Sequence, residues 1–513
     1  MIQRSAILRR ILRARLVPSL VLTLSLVGAS ASHAQNEIPN AVALVKLSTD
    51  TFTNTTSQHA TEVEPDSFSF GSTIVAAFQV GRFTDGGSSD IGFATSVDAG
   101  STWTNGFLPG ITNIQGAGNP YDRDSDPAVA YDPLHGIWMI ASLPIVDSGK
   151  AIPAVIVSRS TDGINWNNPV SVGGNVASSD KEWVVCDTWS TSPHYGNCYM
   201  EWDNPDGGDQ INMSTSTDGG VTWSAAVHPS GSAFGLGGQP VVQPNGNVVV
   251  PFDGNGIQTF TSTNGGSTWG KVITISSQTD HAEAGDLRNI GLPVAAVDGA
   301  GTVYVAWQDC RFRAKCAEND IVLSTSTDGT TWTAPARVPE DPVTSTIDHF
   351  LPGLDADKAT SGSGAHLALT YYTYAQSSCT QSTCNMGVSF ISSADGGATW
   401  GKPVALTSAP MKLTFLPNTT SGLMVGDYFS VSYVNGKAFG VFAVAKAKVG
   451  STFDEAIYTT PFGLGTPEGP TFSSADDKPI PGAKSDHGPR HEEEERGVKA
   501  APPSKKLKRS AQK

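Results

Sequence analysis

Apolar and polar residues alternate over short stretches along most of the chain. Residues 91–95, 154–158, 211–215, 321–325 and 388–392 each follow a period of two, the mark of a strand with one face buried. Upstream of these runs come second strands rich in Val, Tyr and Trp and often launched from a glycine, at 136–143, 246–252 and 301–307. Earlier strands still include 126–131 and 292–297. Several short strands per unit, with turn signals between units repeated at roughly 45–65 residues, predict an all-β ring of repeated blades.

The alternating runs lead into a recurring phrase. Ser96-Val97-Asp98-Ala99-Gly100-Ser101-Thr102-Trp103 returns at full length around Asp218 and Asp395, and one residue shorter around Asp162 and Asp328. A further copy, 262–269, carries Asn264 in the place of the aspartate. Six of the 11 tryptophans close this phrase, which chance would not arrange. A short acid or amide side chain accepts hydrogen bonds from backbone NH groups of the turn that follows it. Glycine permits positive φ there, and the Thr and Trp begin the next strand with a bulky anchor. Copies spread around a ring cannot converge on one catalytic or metal site, so these six positions are expected to be structural.

The phrase resembles the Asp box, or bacterial neuraminidase repeat, of the sialidase superfamily, and the resemblance covers about residues 60–460. It implies a β-propeller of four-stranded blades. Counting by second strands gives seven blades; six, the usual number in sialidase catalytic domains, is the alternative. The last unit, 436–446 and 455–460, lacks the phrase. Residues 41–48 are expected to supply its outer strand, closing the ring and hiding an exposed edge.

Composition adds the setting. The 513 residues include 54 glycines and 32 prolines, which fit many turns, and a net charge of −15, which argues against a nucleic-acid partner. Arg4, Arg9, Arg10, Arg13 and Arg15 precede an apolar run at 17–28 and the small residues of Ser32-His33-Ala34. This reads as a signal peptide over 1–34, exported by the Sec or twin-arginine route, with an N-terminal anchor as the alternative. No later segment is apolar for long enough to span a membrane. The protein is therefore expected to be secreted or periplasmic, and monomeric. Its six cysteines fall in close pairs, Cys186 with Cys198, Cys310 with Cys316 and Cys379 with Cys384, which reads as three loop-closing disulfides. The propeller is placed at 35–465. The remainder, 466–513, is rich in Pro, Lys and Ser, with an acidic run at 492–495 and a basic one at 505–509. It is expected to be a disordered, low-complexity tail, with a wall- or polyanion-binding tail as the alternative.

Within a blade, the first-to-second and third-to-fourth turns share one face with the repeated phrase. Blade-to-blade connections and second-to-third loops lie on the opposite face, where side chains from every blade meet around the central opening. On that face fall Arg82, Arg123, Arg288 and Arg311, together with Asp126, Glu182, Glu201, Tyr371 and Tyr428. The family resemblance implies their roles. Arginines would grip a substrate carboxylate in bidentate fashion. Tyr371 or Tyr428, activated by Glu182 or Glu201, would attack the anomeric carbon. Asp126 would protonate the leaving oxygen.

These roles describe an exo-α-sialidase-like glycoside hydrolase acting on the terminal acidic sugars of a glycan. The family's Arg-Ile-Pro motif is not found; Arg82, in Gln79-Val80-Gly81-Arg82-Phe83, stands nearest. The competing reading is a non-catalytic propeller that binds glycan or protein, with Arg123 beside Asp124 and Arg311 beside Asp309 acting as ion pairs that brace loops. No cofactor and no metal ligands are expected, although the many loop aspartates raise structural calcium as a third idea.

Overall fold

The computed structural model describes residues 42–146, 151–174 and 178–485; the expected signal peptide and residues 486–513 lie outside them. Strands and turns make up nearly all of this chain, and the helical elements among the described residues are four single 3-10 turns. The alternating runs become third strands of antiparallel meanders, Ser88–Ser96, Val155–Ser160, Gln210–Ser216, Asp320–Ser326 and Asn385–Ser393.

The innermost strands are Glu62–Phe70, Arg123–Asp132, Asp180–Cys186, Val241–Val242, Val294–Val297, Asp348–Ala356 and Ser430–Val434. They neighbour one another in that order and return to the first, and each is followed by strands that pair outward from it. This is a β-propeller arrangement with blades of three to four core strands.

The strands do not divide as counted from the sequence. Five sheets of three to five strands stand apart as blades, while Glu62–Phe70 to Val170–Val172 belong to one eight-stranded sheet. Its two meanders join where Ser88 pairs with Asp124, a link reinforced by the Ser88 hydroxyl donating to the Asp124 carbonyl at 2.8 Å. The expectation of seven separate blades, or of six, therefore gives way to five and this double-width sheet. The blade opening with Asp180–Cys186 has three strands, its fourth reduced to isolated bridges from Met213 to Val227 and from Gln210 to Phe234, on either side of Pro229. The outer strand Val45–Lys46 pairs antiparallel with Glu455–Thr459, so the N-terminal segment does cover the edge of the last sheet.

Apolar packing lies between successive meanders. Val75, Ile91 and Phe93 meet Trp138, Ile140 and Ile156 in one buried cluster. Tyr199, Ile211 and Met213 meet Val250, Phe252 and Phe260 in another. The tryptophan of each repeated phrase packs into such a layer: Trp166 and Trp269 are 9% and 5% exposed. The phrase's glycine must lie flat on the preceding meander. Gly163, at φ 72°, sits where a Cβ would come within 2.9 Å of Val75. Inner strands of neighbouring blades are tied by side chains: the Val129 amide donates to Asp66 at 2.7 Å and the Tyr433 amide to Asp355 at 2.8 Å.

All three expected disulfides are formed. Cys186–Cys198 joins two directly paired residues of adjacent strands, while the other two close loops. The expectation of a disordered segment from 466 does not hold as far as Ser485. Phe472 bridges Trp400, the Ile480 amide donates to the Arg311 carbonyl at 2.7 Å, and the Ser485 hydroxyl donates to Asp280 at 2.8 Å.

Candidate functional site

Four inner strands begin with a bulge. Register slips between Val63 and Asp66, Ser125 and Ala128, Asp180 and Trp183, and Phe350 and Gly353. Three of the bulges contain Pro65, Pro127 or Pro352, which have no NH to give the ladder. The residues ahead of them, Glu64, Asp126 and Leu351, take φ of 52°, 49° and 54°, and Lys181 takes 47° without a proline. Left-handed backbone at non-glycine residues is costly, so its repetition around one mouth of the ring marks a place the fold constrains closely.

Three of these bulges carry charge, and the charges converge. Lys181 Nζ lies 3.0 Å from Asp427 Oδ2, 3.3 Å from Asp126 Oδ2 and 3.6 Å from Glu64 Oε1. Arg288 chelates Asp427 from the other side, with Nε 2.9 Å from Oδ1 and Nη2 on Oδ2. Gln79 donates to Glu64, and Ser125 Oγ donates to Asp126 Oδ1 at 2.7 Å. Tyr428 packs edge-on to Trp183, holds its ring 5.1 Å from Lys181 Nζ and donates its hydroxyl to the Pro127 carbonyl at 3.3 Å. None of Glu64, Asp126, Lys181, Arg288, Asp427 and Tyr428 is more than 5% exposed.

Burial governs the protonation of this cluster. It pushes Glu64 upward, with Lys181 opposing and the Asp126 and Asp427 carboxylates adding to the rise. Glu182 is driven well up by burial and then by Asp126 and Asp124. Glu201, pressed against Gly238, is driven well up by burial alone. No hydrogen bond reaches either carboxyl oxygen of Glu182 or Glu201, so burial disfavours the charged form of both. Burial also drives the Tyr428 hydroxyl well up, away from the phenolate form a nucleophile needs.

The structure thus gathers Asp126, Glu182, Tyr428 and Arg288 at one mouth, with Arg82 close enough to act on Glu64, while Arg123, Arg311 and Tyr371 have other partners. Arg123 pairs with Asp85 at 2.7 Å and stacks 4.0 Å over Phe83. Arg311 chelates Asp309 through Nε and Nη2 at 2.8 and 2.6 Å. Arg82 donates to the Gly87 carbonyl at 3.0 Å and to Gln79 at 3.3 Å, with Met424 Sδ against its Nε. Tyr371 is buried between blades beside His349, its hydroxyl pushed up by burial and by Glu340 and Asp341. Residues 416–427 cross this mouth as a strap. The strap's Thr420 amide donates to Thr84 O at 2.9 Å, and Leu423 exchanges backbone bonds of 2.8 Å with Asp286 and Arg288. Leu416, Leu423, Met424 and Val425 are its buried side chains.

Sequence reasoning assigned no role to Glu64, Lys181 or Asp427. The available signal was the Glu64-Pro65 and Asp126-Pro127 pairs inside strand-like runs, since proline in a strand announces a bulge. A second group, Asp320, Glu340 and His349, brings possible ligand atoms within 4.8 Å of one another. The Arg313 and Arg337 guanidinium groups both pair with Asp320, so the positive charge there is already supplied by side chains.

At the other end of the axis, on the face of the repeated phrase, the inner strands leave a cavity of about 390 Å³. Phe68, Trp189, Lys358 and Tyr433 are among its walls. Among the described residues no helix is long and apolar enough to cross a membrane.

No family model and no curated protein matches the chain. Among solved structures it is similar to the Hadza microbial sialidase Hz136, at 16% identity over 61% of this chain and 64% of that one, with a TM-score of 0.43. It is also similar to a protein of unknown function from Dyadobacter fermentans, at 16% over 68% of this chain and 99% of that one, TM-score 0.42. For Trypanosoma rangeli sialidase the figures are 11%, 81% and 59%, with a TM-score of 0.42. The chain thus spans less than two thirds of the length of the two sialidases. These likenesses concern the propeller fold and carry nothing about chemistry.

Proposed function

We propose that this chain is an exported, ligand-binding propeller whose natural partner is a glycan, and that it does not hydrolyse sialosides. The observation that carries this reading is the state of the arginines. Arg123, Arg288 and Arg311 each spend their guanidinium on a separate aspartate, so none of the three is offered to a shared substrate carboxylate. The strap over Lys181 and its carboxylates, and the neutral, buried Tyr428, point the same way. Export is supported by three disulfides. An acidic chain also suits a partner other than nucleic acid.

One observation favours the hydrolase reading: Asp126, Glu182 and Tyr428 do share one mouth, with Glu182 among the charges that act on Tyr428. Incubating the full chain with a fluorogenic sialoside separates the two. The expected result is no release above the uncatalysed rate between pH 4 and about 8, with measurable binding to immobilised glycans. Turnover that disappears in Tyr428→Phe would overturn the proposal.

A further inference from the structure

We infer that the axial cavity on the face of the repeated phrase is the binding site, and that it takes neutral pyranose units of a glycan rather than acidic sugars. The inference rests on the binding reading above and adds the place and the chemical class. At about 390 Å³ the cavity is within the usual range for small-ligand pockets. It lies at the opposite end of the ring from the strapped mouth, because it is lined by the C-terminal halves of the inner strands and by the turns that follow them.

Its walls carry the two surfaces a sugar ring needs. One is aromatic. Phe68 and Trp189, from different blades, flank the same ammonium group: Lys358 Nζ lies 5.4 Å from one ring and 5.3 Å from the other. The Trp189 indole NH donates to the Val242 carbonyl at 2.7 Å, which fixes the plane of a ring that remains partly exposed. A pyranose presents a face of C–H groups that packs on such a plane. The other surface is a set of oxygen acceptors and hydroxyls. Asp355 reaches the cavity with its carboxylate fixed by the Tyr433 and Ala356 amides at 2.8 Å each. Ser67 Oγ lies 2.7 Å from Ser430 Oγ and 2.9 Å from Ser432 Oγ, a hydroxyl chain between two blades. Sugar hydroxyls can exchange with both.

Charge decides between neutral and acidic sugars. Asp66, Asp355 and Asp357 line the cavity against the single ammonium of Lys358, and above about pH 7, where the raised Asp66 and Asp355 have released their protons, the wall is acidic, in a chain of net charge −15. A sugar carboxylate would meet that acidic wall without a guanidinium to grip it. Lys358 is exposed and donates to Thr188 Oγ1 at 3.0 Å, from the sixth inner strand's turn to the third's. Its side chain thus links two of the turns that rim the cavity.

The test uses the full chain and intrinsic tryptophan fluorescence. It is titrated with oligomers of glucose, mannose, galactose and N-acetylglucosamine, and in parallel with 3′-sialyllactose and oligogalacturonate. The expected result is saturable binding of at least one neutral oligomer, at least roughly tenfold tighter than either acidic one. Trp189→Ala should weaken it by roughly tenfold or more. Because Trp189 also packs against neighbouring blades, Lys358→Trp serves as the second variant: it fills the entrance from an exposed position and should abolish binding while the melt is unchanged. Tighter binding of an acidic sugar, or no binding of any neutral oligomer, overturns the inference. Glycan binding that survives both substitutions also overturns it while leaving the binding reading intact. Glycoside turnover by the wild type overturns that reading itself.

Discussion

Lys181 faces Glu64, Asp126 and Asp427 within 3.6 Å, and each partner comes from a different inner strand or strap end. A lone lysine among three buried carboxyls acts chiefly on those left behind when it is removed. Lys181→Met would leave the three carboxyls without their shared ammonium, with Arg288 still on Asp427, and we expect a loss of roughly 3–5 kcal/mol in urea unfolding. Adding Glu64→Gln should recover part of that loss by removing one of the repelling acids, whereas a Lys181→Met effect below about 1 kcal/mol would show the cluster to be solvated and open. The individual residue types were legible in the sequence at Asp126, Glu182 and Tyr428. Their meeting point was not, because it depends on left-handed backbone at Glu64 and Lys181 that no local pattern dictates. The pairing of Arg123 with Asp85 and of Arg311 with Asp309 shows the converse. Arg311 found a partner two residues away, whereas Arg123 bypassed the adjacent Asp124 for Asp85, 38 residues upstream, and a shared clamp needed a convergence that the fold does not provide.

At the scale of elements, the repeated turn was the most readable feature because its physics is local. Ser96 Oγ donates to Asp98 Oδ1 and the Thr102 amide donates to it as well, both at 2.8 Å. Asn264 keeps the acceptor oxygen for the Thr268 amide at 3.0 Å, and its NH2 donates to the Thr268 hydroxyl where the aspartates accept one. Strand division was less readable, since the eight-stranded sheet depends on one pair, Ser88 with Asp124, between blades. The cysteine pairs follow from spacing, yet their mechanical roles differ. Cys186–Cys198 staples an inner strand to its neighbour, 12 residues apart in sequence, whereas Cys379–Cys384 closes a loop between the second and third strands of its blade. Chain-entropy estimates give both about 2–3 kcal/mol. The Cys186→Ala, Cys198→Ala double variant should lose more than that in urea unfolding, because it also opens a gap in a buried apolar layer. The Cys379→Ala, Cys384→Ala variant should lose less, because Cys384 alone of that pair is fully buried. Equal losses would mean that both bridges act on the unfolded chain alone.

Over the whole molecule, the balance between buried acids and exposed turns sets how stability responds to pH. Burial lifts Glu62 and Asp66 to about 7, against the Ser48 hydroxyl and the Val129 amide respectively, and lifts Asp355 to about 6 against the Tyr433 amide. These acids hold protons in the folded chain that the unfolded chain, at 4.5 for Glu and 3.8 for Asp, has already released. Their contribution is complete below the unfolded values and is lost as pH rises through the folded ones. Each group changes stability by up to about 1.4 kcal/mol per pH unit in that interval. The repeated turns act in the opposite sense. The Thr102 hydroxyl and amide hold Asp98 at about 2, and against burial, the largest single influence, the combined hydrogen bonds from Asn165, Ile164 and Ser160 hold Asp162 there. That contribution is present above 3.8 and disappears as pH falls toward 2. The two trends leave a maximum near pH 4–5, between the loss of turn carboxylates and the ionisation of core acids. Thermal melts from pH 2.5 to 8 should therefore peak there and decline on both sides, more steeply toward neutral pH because the buried acids sit in the inner strands that every blade shares. A melting temperature that rises steadily from pH 4 to 7 would contradict the protonated state assigned to these inner-strand carboxyls.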